Sequence, residues 1–283
     1  MFIDTRSKES MESSMSTYLD IPVDELYQYI DYAAEKAQKD QWAFNIDLFY
    51  EELGNIISDL QPKIEIDELL FFHLSRRLHG TEDDSSGRNL EDLLTTRNVL
   101  SDFLREHQIE FIKGEQNLIT YYKGQEVDWD KCWHGNSAYM KLRLGYFKGR
   151  EDYCFNGFAL KDLLYKNQYA RNLYGAPEII GQLAECLGCK RLENDYLENS
   201  SYYCFEYKVP IDRVIFDGHD NFSTSRKRQQ IVYCVLERLL QYSNTDSKYL
   251  YDDDNPILRL RDRDTLPSEF YIQKELLTWD MLG

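Results

Sequence analysis

The sequence predicts an α+β protein: a mixed, mainly antiparallel sheet core with packed helices and an N-terminal helical hairpin. Three observations carry this. Two helical apolar stripes come first, and runs of aromatic and branched residues follow. Strand and helix signals then mix without the regular alternation of a parallel sheet. The 283 residues, 42% of them hydrophobic, suffice for one large domain or two modest ones.

Residues 1–19 lack the basic-then-apolar order of a signal peptide and read as a flexible lead. Residues 20–62 read as the helical hairpin. Pro22 opens a helix over 21–39 with Leu26, Ile30, Ala33, Ala34 and Ala37 on one face. A second, over 45–60, carries Phe49, Leu53, Ile56 and Leu60. Pro62 ends the pair, and 63–283 reads as an α+β domain of catalytic type.

That domain opens on a strand from Ile64, whose apolar run Leu69–Phe72 delivers His73, Ser75, Arg76 and Arg77 together. Polar side chains at the end of a buried strand must face a cleft or water, because burying them unpaired is costly. Short helices follow around Leu90–Leu94 and Val99–Leu104, then a hairpin from IEFIKG and NLITYYKG. Residues 125–137, with Trp129, Trp133 and His134, show no periodicity. Alternation over 138–147 predicts a half-buried strand, with a short helix as the alternative.

YCFNGF at 153–158 reads as an aromatic strand, with helices at 159–173 and 177–188 after it. Residues 202–216 give the strongest strand signal, bent at Pro210. A helix over 225–242, capped by Ser225, begins with the basic run 225–228 facing solvent. Asp252–Asp254 reads as a solvated acidic turn, and short strands are expected at 257–260 and 269–272.

The formal charge of −17 repels nucleic acid and anionic membranes at long range. No apolar run approaches the ~18 residues of a membrane span. The six cysteines, without a secretion signal, read as reduced thiols in a cytoplasmic setting. Cys186 and Cys189 form a lone CxxC, read as two thiols on neighbouring turns of a helix. The five histidines match no zinc spacing, so no metal site is expected. Phosphate-loop, dinucleotide-fold, serine-hydrolase and zinc-protease signatures are all missing from the sequence.

Three separated pieces remain. They are the strand ending His73-x-Ser75-Arg76-Arg77, the aromatic strand 153–158 leading into a helix, and LPSEFYI with Glu269. Their layout resembles the ADP-ribosyltransferase superfamily over residues 64–275. The resemblance implies an enzyme that cleaves NAD as substrate and transfers ADP-ribose to a macromolecular acceptor, protein or nucleic acid. It implies that His73 or Arg76 holds NAD, with Ser75 and Arg77 beside them. Phe155, Asn156 and Tyr169 would shape the nicotinamide pocket, and Glu269 would act at the ribose or orient the acceptor. A toxin or phage-defence effector, with an antitoxin or regulatory partner, would be the biological setting. The chemistry is coherent, since breaking the glycosidic bond builds positive charge that a carboxylate stabilises, and an arginine fork suits the pyrophosphate.

Two rivals stand beside this reading. One is a non-enzymatic interaction protein whose acidic face, rich in its 22 tyrosines, docks a basic partner. The other is a nuclease-like effector using His73 and the arginines on phosphodiesters. The transferase reading expects His73, Arg76 and Glu269 to meet in one pocket.

Overall fold

The computed structural model describes residues 1–40, 43–132, 134–149 and 152–282. Trp133 lies outside the described residues. The architecture is α+β, with antiparallel strand pairing and helices at the N-terminus.

The first segment is a helix, α1 (Lys8–Leu19), where the sequence predicts a flexible lead. Ser7 caps it, and the Ser10 hydroxyl accepts from the Ser7 N–H in return, at 2.9 Å. Met11, Met15 and Leu19, four apart, form its buried stripe. The chain start is pinned as well: the Met1 ammonium donates to the Glu65 carbonyl at 2.8 Å. The expected hairpin follows as α2 (Val23–Ala37) and α3 (Ile46–Leu60), which pack together, with the short strands β1 (Gln38–Asp40) and β2 (Ala43–Phe44) between them.

Strand β3 (Glu68–Leu78) is followed by α4 (Leu90–Thr95) and α5 (Val99–Glu106), capped by Asn89 and Asn98. An antiparallel meander comes next: β4 (Ile109–Lys113), β5 (Leu118–Tyr122) and β6 (Gln125–Glu126). Over 138–147, where the sequence predicts a strand with a short helix as the alternative, the helix is found: α6 (Ser137–Arg143). The Asn136 side chain accepts from the Tyr139 N–H at 2.9 Å, and the fully buried pair Met140 and Leu144 is spaced for a helix.

Strand β7 (Asn156–Phe158) is shorter than expected, and only α7 (Gln168–Asn172) and a 3-10 turn occupy the predicted helix 159–173. The lone CxxC falls between α8 (Glu178–Cys186) and α9 (Lys190–Glu198), so its thiols do not share a helix. Strands β8 (Ser200–Pro210) and β9 (Ile215–Phe216) precede α10 (Thr224–Asn244). Ser223 caps α10 in place of the expected Ser225, accepting from Arg226 N–H at 3.2 Å. Strands β10 (Ile257–Arg259) and β11 (Tyr271–Leu276) complete the chain. Glu269, expected on a strand, sits in a 3-10 turn at 268–270.

The chain divides into two compact units, each assembled from three stretches. Unit 1 holds 1–72, 158–167 and 208–258, and unit 2 holds 73–157, 168–207 and 259–283. In unit 1 the hydrogen-bonded strand order is β3, β7, β10, β9, with α1 packed on α2 and α10. A buried ionic cluster lies there. The Arg238 guanidinium is paired with Asp162 at 3.2 Å and with Asp252 at 2.5 Å, all three being at most 2% exposed. Tyr242 and Asn255 donate to the two carboxylates. Asp252 is therefore a core residue rather than part of a solvated turn, because Arg238 supplies the partner that its burial requires. Lys227, expected to face solvent, is buried and donates to the Ile211 carbonyl at 3.3 Å.

In unit 2 the strand order is β11, β8, β3. A hydrophobic cluster gathers Leu94, Leu104, Phe111, Trp129, Met140 and Ile180 from the helices and the meander. Among the described residues no helix is long and apolar enough to cross a membrane.

Candidate functional site

The leading half of β3 is buried on both faces through Leu69–Phe72. From His73 onward the strand belongs to unit 2 and forms one wall of a cavity of about 520 Å³, within the size range of small-ligand sites. Every residue lining it belongs to unit 2. His73, Ser75, Arg76, Arg77, Phe155 and Asn156 all contribute, so six of the residues singled out in the sequence meet in one place. Tyr169 and Glu269 do not line it. Tyr169 is 61% exposed on α7, and Glu269 is exposed in its turn before β11.

His73 has a defined tautomer. Its Nδ1 lies 2.6 Å from the Asn156 carbonyl oxygen, which can only accept, so Nδ1 carries the proton and Nε2 the lone pair. The Phe155 ring packs on the imidazole with centroids 4.1 Å apart. Desolvation, and then the Arg77 charge, push the His73 pKa down to about 3, so the ring is neutral near pH 7. It is enclosed by protein yet opens onto the cavity.

The neighbouring arginines differ. Arg76 is a clamp: Nε donates to Ser200 Oγ at 3.0 Å, Nη1 to the Tyr174 carbonyl at 2.5 Å, and Nη2 to the Leu197 and Ser200 carbonyls. Its donors hold β3 against β8 and the end of α9 and are not available to a ligand. The Arg77 guanidinium lies 4.7 Å over the Phe205 ring. Its Nε is buried without a hydrogen-bond partner, and among the described residues no carboxylate pairs with it.

Three further arginines line the cavity, none of them singled out in the sequence. Arg88 is 3.3 Å from Asp84, and Arg143 is 2.5 Å from Asp152. Arg97 is largely exposed at the rim, 4.0 Å from Asp102. Asp84 is the one carboxylate among the described lining residues. Burial works against its charge, but hydrogen bonds from Ser86, with the Arg88 and Arg77 charges, hold its carboxyl below the usual range. Burial and Asp152 push the Cys154 thiol up to about 12, which makes it a poor nucleophile.

Five arginines line the cavity; Arg88, Arg97 and Arg143 are paired with Asp84, Asp102 and Asp152, which leaves Arg77 as the lining cation with no carboxylate of the described residues at ion-pair distance in a chain of charge −17. The sequence signals for the missed residues are weak. Arg88 lies in the polar loop after β3, and Arg143 in the segment expected to be a strand. Gly87 supports the site from behind. It exchanges backbone hydrogen bonds with Leu266, and a Cβ there would lie 2.7 Å from the Phe155 ring. Among the described residues no group of three or more histidine, cysteine, aspartate or glutamate side chains is placed to hold a metal.

Fold and site together define an α+β protein with an arginine-lined ligand cavity and a neutral histidine in its wall. No protein-family model, curated protein or solved structure matches the chain. Its functional reading therefore rests on the geometry of this cavity.

Proposed function

We propose that unit 2 binds a phosphorylated small molecule in this cavity, with Arg77 as the principal anion ligand and His73 Nε2 as a hydrogen-bond acceptor beside it. The observation that carries this is Arg77, a cation lining the cavity with no carboxylate of the described residues within ion-pair distance. Phosphate oxygens satisfy such a group, and a charge-assisted hydrogen bond contributes about 1.5–3 kcal/mol. Arg88 and Arg97 line the same cavity.

Binding is measured by titration calorimetry with inorganic phosphate, AMP, NAD and adenosine. The phosphorylated ligands should bind and adenosine should not, and Arg77→Met should weaken AMP by about tenfold or more. Equal binding of AMP and adenosine sinks the reading.

A second reading has its own observation: Asp84, a carboxylate, shares the cavity with His73. If NAD is the ligand, cleavage and transfer of ADP-ribose to a macromolecular acceptor would draw on Asp84 to stabilise the ribosyl cation, since Glu269 is not in the lining. NAD turnover and label transfer to protein or nucleic acid should then vanish in Asp84→Asn and survive in Glu269→Ala. Loss only in Glu269→Ala would put the chemistry elsewhere. A cytoplasmic setting accords with cysteines that carry thiols rather than disulfides.

A further inference from the structure

Helices α4, α5 and α8 add an aliphatic part to the cavity lining, with Arg97 between α4 and α5 at its edge. Leu93, Leu94, Leu100, Ile179, Ile180 and Leu183 face the cavity from these helices. Ile180 and Leu183 are almost fully buried, whereas Leu93, Leu100 and Ile179 are half-buried with area left to cover. The two phenyl-type rings in the lining, Phe155 and Tyr196, both belong to the polar end. Phe155 packs on His73, and the Tyr196 hydroxyl donates to the Arg76 carbonyl at 3.1 Å. Among the described residues the aliphatic part of the lining thus offers no aromatic face on which a purine or nicotinamide would stack.

We propose that the ligand is an amphiphile, a phosphate monoester of an aliphatic chain, with its phosphate at Arg77 and its chain along α4, α5 and α8. This rests on the phosphate reading above and specifies what the phosphate is attached to. A head of this kind needs a cation to offset its charge and a water-excluding surface for its tail, and the cavity lining supplies both. An aliphatic surface rewards methylene burial without demanding a particular ring geometry, so affinity should follow chain length rather than a base edge.

The test uses the full chain and a series of n-alkyl phosphates from ethyl to decyl, with AMP, inorganic phosphate and the matching n-alkyl alcohols as comparators. Affinity should rise by about fourfold per added methylene until the wall is filled. It should then level off, with alkyl phosphates exceeding AMP. The alcohols should bind far more weakly than their phosphates. Ile179→Asn, checked for an unchanged melting temperature, should flatten the chain-length dependence while leaving inorganic phosphate binding intact. Should that variant be unstable, the wild-type series alone decides. A flat series with AMP tighter than every alkyl phosphate overturns the amphiphile proposal and leaves the phosphate reading standing. If neither the phosphates nor AMP bind, both readings fall.

Discussion

Arg76 and Arg77 are neighbours on one strand with different roles, and the difference lies in what their guanidinium groups touch. Arg76 donates to four backbone and side-chain oxygens, so Arg76→Ala should remove a structural clamp, lowering stability by about 2–4 kcal/mol in urea unfolding as buried carbonyls lose their donor. Arg77 carries an unsatisfied buried N–H, so Arg77→Met should leave stability unchanged or slightly higher while weakening AMP binding by about tenfold or more. A parallel loss of stability and binding in both variants would show that the two arginines act alike. Gly87→Val tests the support behind His73. The added side chain must displace Phe155 or Leu266, costing about 1–3 kcal/mol and weakening ligand binding through the shifted ring. The sequence marks both arginines by their place after an apolar run, but it cannot distinguish them. Their partners, Tyr174, Leu197, Ser200 and Phe205, lie about a hundred residues or more away.

At the scale of elements, α1 shows how a helix can be overlooked. Its stripe is Met11, Met15 and Leu19 among serines, with a capping box closed by a second serine. Methionine and serine give little hydrophobic contrast, yet both methionines are fully buried. Met15→Ala should cost about 2–5 kcal/mol and Ser7→Ala about 1 kcal/mol, read by urea unfolding. Surface-like values for both would mean that the segment is not packed. Helices α5 and α9 are joined by His107 and Asp195, 3.0 Å apart. The hydrogen bond from His107, followed by that from Arg191, holds the Asp195 carboxyl below its usual range. A depressed carboxyl contributes stability above its unfolded-state value, near about 3.9, and loses it as pH falls through the folded value. The melting-temperature gap between wild type and Asp195→Asn should therefore be present at pH 6 and close toward about pH 3. A gap that stays constant over that range would mean that the pairing is not ionic.

Across the whole molecule, charge and chain path set the expectations. The cavity is basic while the chain carries −17, so phosphate binding should weaken steeply as salt rises and screens the arginines. Each compact unit draws on three separated stretches of sequence, which argues against a boundary near residue 62. A 63–283 fragment keeps α10 and the 158–167 segment but loses α1, α2 and α3, which belong to the same unit. It should therefore expose apolar surface, bind a hydrophobic dye and lack a cooperative melt. A cooperative melt near that of the full chain would restore the simpler division.

The sequence by itself determined the fold class, the α2–α3 hairpin, the β4–β5 hairpin and α10. In each of these the apolar period is strong over a whole element, and local geometry decides the outcome. It also brought out His73, Ser75, Arg76 and Arg77, because one strand carries them side by side. Tertiary structure alone decided that Asp252 is buried against Arg238, and that α6 is a helix over its Met140–Leu144 stripe. It alone placed Arg88 and Arg143 in the cavity and left Glu269 out of it. Those outcomes depend on partners distant in the chain, and the desolvation and pairing that select them exist only once the chain has closed around them.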